Sequence, residues 1–163
     1  MGLRIRAATL DDAAAICAIY NQGIEDRIAI LETELRTPDE RRAWLAQREA
    51  RHPVIVAEED GRGVGWGSLN PLMTRPGYRF VADFSIYVER ERRGKGIGSQ
   101  LLARLEELAR ELGYHKLVLT ALPWNAAGLA LYETFGFRTV GVYAEQGQID
   151  GRWVDTVVME KLL

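Results

Sequence analysis

Ile97, Leu101, Leu105, Leu108 and Leu112 recur at intervals of three and four residues, and Gly113 ends the run. Only a helix with one apolar face satisfies that period, and a glycine just past its end is the usual stop. Immediately before it, Gly94-Lys95-Gly96-Ile97-Gly98-Ser99 sets three glycines at alternate positions, following a strand-like run over residues 80–88. A strand, a glycine turn and a long amphipathic helix in direct succession predict a sheet with that helix laid against it.

The flanking segments extend the pattern. Residues 3–7 alternate apolar and polar as a strand does, and Thr9 with Asp11 and Asp12 offers a cap and an acidic first turn to a helix carrying Ile16, Ile19, Tyr20 and Gly23 on one face. Cys17 beside that stripe reads as a packed small residue. Thr37-Pro38-Asp39-Glu40 starts a second helix, expected to reach about residue 50 with Trp44 and Leu45 facing inward. Residues 54–58 and 64–70 read as strands joined by Asp60-Gly61-Arg62-Gly63, residues 71–77 as a loop, 116–120 as a strand, 126–135 as a helix, and 137–142 and 152–161 as closing strands. The predicted order is β-α-α-β-β-β-α-β-α-β-β, an α/β sheet with helices on both faces and one domain over residues 1–163.

Chemistry concentrates at the glycine turn. Missing β-carbons let a ligand approach the backbone, and N–H groups of a first helical turn favour an anion. Arg92, Arg93 and Lys95 add positive charge, so residues 93–99 read as a phosphate cradle. The spacing Gly-x-Gly-x-Gly misses the dinucleotide fingerprint Gly-x-Gly-x-x-Gly, and no Lys-Ser or Lys-Thr pair follows as nucleoside triphosphate binding requires. Arg93-Gly94-Lys95-Gly96-Ile97-Gly98 does fit Gln/Arg-x-x-Gly-x-Gly/Ala. Here the chain resembles the GNAT superfamily of acetyl-CoA-dependent acyltransferases. Ile19-Tyr20-Asn21, Leu31-Glu32-Thr33-Glu34, Arg41-Arg42-Ala43-Trp44, Val56-Ala57-Glu58, Arg75-Pro76-Gly77-Tyr78, Ser85-Ile86-Tyr87-Val88 and Gly151-Arg152-Trp153-Val154-Asp155-Thr156 extend the likeness to its phosphinothricin, arsinothricin and methionine sulfoximine N-acetyltransferase branch.

The resemblance implies a GNAT fold, with a mixed, mostly antiparallel sheet splayed at the coenzyme site. It also implies acetyl-CoA as co-substrate and acetylation of the amine of a small amino acid or analogue by direct attack. Ile86, Tyr87 and Val88 would meet pantetheine through their backbone, and Arg93, Gly94, Lys95, Gly96, Ile97, Gly98 and Ser99 would hold the pyrophosphate. Asn125 matches an asparagine that meets the coenzyme arm, and equally reads as an ordinary helix cap. Tyr132 is the expected proton donor to the departing thiolate, where phosphinothricin enzymes often carry histidine. Asp83 stands where relatives have glutamate, one methylene or roughly 1.5 Å longer. It reads as a base, directly or through water, as an anchor for the ammonium group, or as half of a structural ion pair. Arg75, Tyr78, Asp83 and Ser85 are expected at the acceptor, with Arg79, Glu25, Arg27 and Glu32 as weaker contributors; Trp66, Trp124 and Trp153 either wall the pocket or pack in the core.

Bulk properties narrow the partners. The 163 residues carry 21 basic and 23 acidic side chains, net −2, and no long run of one sign, which argues against nucleic acid. His52 and His115 are too few and too isolated for a metal site. The single cysteine suits a reducing compartment, and Met1 leads into a strand pattern without a signal-peptide or membrane-spanning stretch, so a cytoplasmic location is expected. The relatives' habit makes a homodimer the expected assembly. Acetylation of a peptide N-terminus or polyamine, and a non-catalytic acyl-CoA sensor, stand as alternatives.

Overall fold

The computed structural model describes residues 2–163; Met1 lies outside them. Its order is β1 (Leu3–Ala7), α1 (Ala13–Glu25), α2 (Pro38–Ala46), β2 (Val54–Glu59), β3 (Arg62–Pro71), β4 (Val81–Val88), α3 (Ile97–Glu111), β5 (Lys116–Ala121), α4 (Ala126–Thr134), β6 (Arg138–Ile149) and β7 (Arg152–Leu162). This is the predicted order. The seven strands form one sheet in the order β1-β2-β3-β4-β5-β7-β6. Only β4 and β5 run parallel, and the other pairs are antiparallel.

Alternation along each strand sends side chains to two separate cores. One face packs Leu69, Ala82, Phe84, Leu117 and Leu119 against Ile97, Leu101, Leu102 and Leu105 of α3, with Leu131 and Tyr132 of α4 at its margin. The other face packs Val54, Val56 and Trp66 against Ile16 and Ile19 of α1, with Trp44, Leu45 and Tyr87 joining them. The α3 stripe is rotated slightly from expectation. Leu108 and Leu112 are only partly buried, whereas Leu102, Ala109 and Glu106 are buried. Glu106 tolerates this because Lys161 Nζ donates to both its oxygens, at 2.9 and 3.0 Å.

Several boundaries moved. Residues 10–12 form a single 3-10 turn, in which Asp12 accepts from the Thr9 amide at 2.7 Å, so α1 begins only at Ala13. Helix α2 stops at Ala46 rather than near residue 50, because the next segment is tied down from the side. Arg48 Nε donates to the His52 carbonyl at 3.0 Å, and its Nη2 reaches the Leu69 carbonyl. Strand β6 continues well past residue 142 to Ile149, pairing with β7 across register shifts at Thr139/Gly141 and Tyr143/Gly147. Those bulges break the alternation that reveals a strand in sequence. Asp150 (φ 52°) and Gly151 (φ 76°) then make the tight turn, a conformation favoured between twisted strands.

Candidate active site

The site is built around a gap in the sheet. Strand β4 pairs with β5 at only three positions, Val81↔Lys116, Ala82↔Leu117 and Asp83↔Val118, and the two strands part beyond them. Residues 84–88 thus present a backbone edge with no neighbouring strand on that side. An extended ligand can add to such an edge through main-chain hydrogen bonds.

A groove of about 250 Å³ runs along this edge. Ile86, Tyr87, Val88, Arg93, Gly94, Gly96, Ile97, Gly98, Ser99, Asn125 and Tyr132 all line it, bringing together nearly every residue expected at the coenzyme. Lys95 lies on the same turn, exposed and outside the lining. The three glycines have different tasks. Gly94 (φ 77°) and Gly96 (φ 86°) adopt left-handed conformations with open space where a β-carbon would project. Gly98 is different, since a β-carbon there would stand 3.3 Å from Leu131 Cδ2, so it serves the packing of α3 against α4. The cations are also more constrained than expected. Arg93 Nη1 donates to Asp26 Oδ2 at 2.7 Å and its Nε to the Val88 carbonyl at 3.3 Å. Arg90 grips the same Asp26 through two 2.9 Å bonds, and Arg92 pairs with Glu59 at 3.0 Å. Asp26, at the end of α1, therefore staples the turn, and the Arg90 and Arg93 guanidiniums hold its carboxyl below the ordinary range. Nothing in the local sequence marks that contact, which joins residues 67 apart.

Asn125 caps α4, its side-chain oxygen accepting from the Gly128 amide at 3.2 Å, and it lines the groove as well. Tyr132 projects from α4 into the gap. Its ring packs edge-on against Phe84 at 5.7 Å and Phe137 at 6.1 Å. Burial, reinforced by the charge of Asp83, raises its hydroxyl to about 12, so it carries its proton at neutral pH.

A smaller pocket of about 70 Å³ adjoins the groove. It shares Ile28, Ile86, Tyr87, Asn125 and Tyr132 with it, and adds Asp83, Ser85, Ile30 and Thr120. Burial raises the Asp83 carboxyl to about 6, although a hydrogen bond from Asn70 Nδ2 (3.4 Å) pulls the other way. The same amide nitrogen donates to Ser85 Oγ at 3.2 Å. Among the described residues no arginine or lysine forms an ion pair with Asp83. The structural ion pair considered above therefore does not form. Beneath Asp83 and Ser85, Tyr87 stacks on Trp66 at 5.3 Å and meets Tyr20 edge-on at 5.0 Å.

Other expected residues lie elsewhere. Arg75, Tyr78 and Arg79 line a separate cleft of about 510 Å³ with Trp44, Arg48 and Arg51, a lining that includes neither Asp83 nor Tyr132. Trp66 belongs to the core, whereas Trp124 (49% exposed) and Trp153 (61% exposed) are surface residues; none of the three lines the two site pockets. Arg27 pairs with Asp150, Glu25 with Arg90, and Glu32 accepts from Arg36 and the Tyr20 hydroxyl. Cys17 is buried and donates to the Arg36 carbonyl at 3.2 Å, away from both pockets. Sequence reasoning missed Asn70, Arg48 and Asp26, and also Ile28 and Ile30, which close the pocket from the α1–α2 connection.

Residues 16–137 match the model of the Acetyltransferase (GNAT) family. The chain belongs to that family. It is 35% identical to the L-methionine sulfoximine/L-methionine sulfone acetyltransferase of Salmonella typhimurium, over 97% of this chain and 93% of that protein. Among solved structures it superimposes with a TM-score of 0.94 on a ribosomal-protein-alanine N-acetyltransferase from Brucella melitensis (40% identity, covering 98% and 99% of the two chains). A phosphinothricin acetyltransferase from Sinorhizobium meliloti, solved in complex with acetyl-CoA, gives 0.90 at 29% identity, covering 100% of this chain and 89% of that one. Among the described residues no helix is long and apolar enough to cross a membrane.

Proposed function

We propose that this chain transfers the acetyl group of acetyl-CoA to the amine of a small amino acid or amino-acid analogue, of the phosphinothricin, arsinothricin or methionine sulfoximine type. The observation that carries the proposal is the contiguity of the two pockets. The groove beside residues 93–99 opens, through Tyr87, Asn125 and Tyr132, onto the pocket that holds Asp83. Acetyl-CoA seated with its pyrophosphate at the glycine turn and its pantetheine along residues 86–88 would bring the thioester between Asp83 and Tyr132. Asp83, ionised above pH 6, takes one proton from the ammonium group directly or through water, or orients it while water takes that proton; the freed amine attacks the thioester carbonyl; a β4 backbone N–H meets the oxyanion; and as the carbon–sulfur bond breaks Tyr132 protonates the departing thiolate and is itself reprotonated by the second proton that the nitrogen loses. Ser85 lies beside Asp83 in the acceptor pocket, whereas Arg75 and Tyr78, which line the separate cleft, are given no part in holding the acceptor.

The small volume beside Asp83 favours a compact amine over a peptide chain. The names of the Salmonella and Sinorhizobium relatives support the same class, whereas that of the Brucella relative points to a peptide N-terminus. A thiol-release assay decides. Acetyl-CoA is offered with phosphinothricin, arsinothricin, methionine sulfoximine, an alanine-led peptide or a polyamine. Turnover on the amino-acid analogues is the expected result. Release with the peptide or polyamine alone would overturn the acceptor class, and coenzyme binding without release would make the chain a sensor.

We also assign the chain to the cytoplasm, as a single domain working as a homodimer. Support for the dimer comes from β6, the last strand of the sheet, where Val140, Val142 and Tyr143 are about half exposed. Sedimentation at micromolar concentration tests this.

A further inference from the structure

Arg48 is a cation with no carboxylate. Among the described residues none pairs with it, and burial lowers its guanidinium to about 10. It sits at 4.5 Å over the Trp44 ring and donates to three oxygens: the His52 carbonyl, the Leu69 carbonyl and Asn70 Oδ1, the last at 3.0 Å. The first closes the connection after α2 on itself and the second fastens it to β3. The third points to the active site, because Asn70 lies directly opposite Asp83 in the β3–β4 ladder.

An amide side chain has a donor end and an acceptor end, and its neighbours decide which way it faces. Ser68 Oγ (3.0 Å from Asn70 Oδ1) and Ser85 Oγ (3.2 Å from Asn70 Nδ2) can each donate or accept, so they impose no direction. Arg48 can only donate. We infer that Arg48 is a positioning residue of the reaction: by engaging the Asn70 amide oxygen, it turns the Asn70 amide nitrogen toward Asp83 and Ser85. Asp83 then meets an N–H donor, which favours its ionised form. A protonated Asp83 aimed at Asn70 would set O–H against N–H, since the amide oxygen already accepts from Arg48 and Ser68. The other groups lining the pocket around Asp83 do not duplicate this role. Ile28 and Ile30 of the α1–α2 connection are apolar, Thr120 of β5 does not titrate, and Tyr87 and Tyr132 are held in their neutral forms by burial. The inference rests on the reading of Asp83 as the carboxylate that meets the amine.

The test is a double-mutant cycle of Arg48→Met and Asn70→Ala, read on protein carrying carboxyl-labelled aspartate. The Asp83 resonance is identified by its loss in Asp83→Asn, and the pH dependence of kcat/KM is measured in parallel. Arg48→Met is expected to raise the Asp83 midpoint by about one pH unit and to move the acidic limb of kcat/KM with it. In the Asn70→Ala background the same substitution is expected to move neither, and Arg48→Lys, which keeps a donor, is expected to restore both. If Arg48→Met does not fold, Arg48→Gln replaces it, since an amide that both donates and accepts also releases the constraint. An unmoved midpoint, or an equal shift with and without Asn70, overturns the inference. A resonance that moves while the kinetic limb stays fixed shows instead that Asp83 is not the reacting carboxylate, and removes Arg48 from the reaction with it.

Discussion

Replacing Asp83 by asparagine is expected to make the protein more stable at neutral pH while abolishing most of its activity. The carboxyl titrates at about 6 in the fold against an ordinary 3.8, chiefly because burial penalises its charge. A group whose midpoint is raised on folding binds its proton more tightly in the native state. Its favourable contribution is therefore complete below pH 3.8 and is lost as pH rises through 6. At about 1.4 kcal/mol per pH unit, the ionised Asp83 costs the fold roughly 3 kcal/mol at pH 7.5 relative to its neutral form. Asparagine keeps the shape and still offers Asn70 an acceptor oxygen, but carries no charge to desolvate. Urea denaturation of both proteins at pH 4 and pH 7.5 measures the effect. With a slope of about 2 kcal/mol per M, the variant's midpoint should exceed that of wild type by roughly 1.5 M at pH 7.5 and hardly at all at pH 4. Equal differences at the two pH values would show that Asp83 is not a strained buried anion. The same variant should lose about 10²-fold or more in kcat/KM, as removal of a general base does.

Tyr132→Phe keeps the ring packing on Phe84 and Phe137, so coenzyme affinity should hold while kcat falls about 10²-fold; an unchanged kcat removes the acid role. Gly96→Ala forces a β-carbon onto a left-handed residue at φ 86°, and should cost about 1 kcal/mol in thermal unfolding and weaken acetyl-CoA in a binding titration. Wild-type values for both would mean that the turn carries no conformational demand there. Asp26→Asn frees Arg90 and Arg93 from their common anchor, and should raise the KM for acetyl-CoA several-fold with little change in kcat. A reduced kcat at constant KM would refute a staple that acts only on the coenzyme turn.

The elements that carried period or punctuation in the sequence were the ones legible there. The α3 stripe, the glycine turn before it and the Thr37-Pro38 start each reflect a local rule; the turn and the start sit where that rule puts them, and the stripe is rotated from it only enough to leave Leu108 and Leu112 half-buried. The groove proposed for the coenzyme was readable because its parts are nearly contiguous, with Asn125 and Tyr132 added by family likeness. What stayed hidden depends on pairings across the sheet. Asn70 reads as the polar end of a strand until β3 is laid against β4 and the residue falls opposite Asp83. Arg48 reads as a solvated helix residue until α2 ends early and its guanidinium turns inward. The far half of β6 was lost because its bulges interrupt the period-two alternation.

Asp83 and Tyr132 approach the proposed reaction centre from different elements, and their properties are linked. Burial raises both, which gives a carboxylate ready to accept a proton and a phenol ready to give one at the same pH. The tyrosine is also held up by the negative charge of Asp83. On the proposed reaction, that charge disappears when Asp83 takes the proton from the amine. Neutralisation loosens the hold of Tyr132 on its own proton just as the thiolate begins to need one. A glutamate in place of Asp83 would extend the carboxylate by roughly 1.5 Å, away from the Asn70 amide that orients it. The shorter side chain and the Arg48–Asn70 pair thus belong together, and exchanging Asp83 for glutamate should retain activity only partly unless Asn70 changes with it.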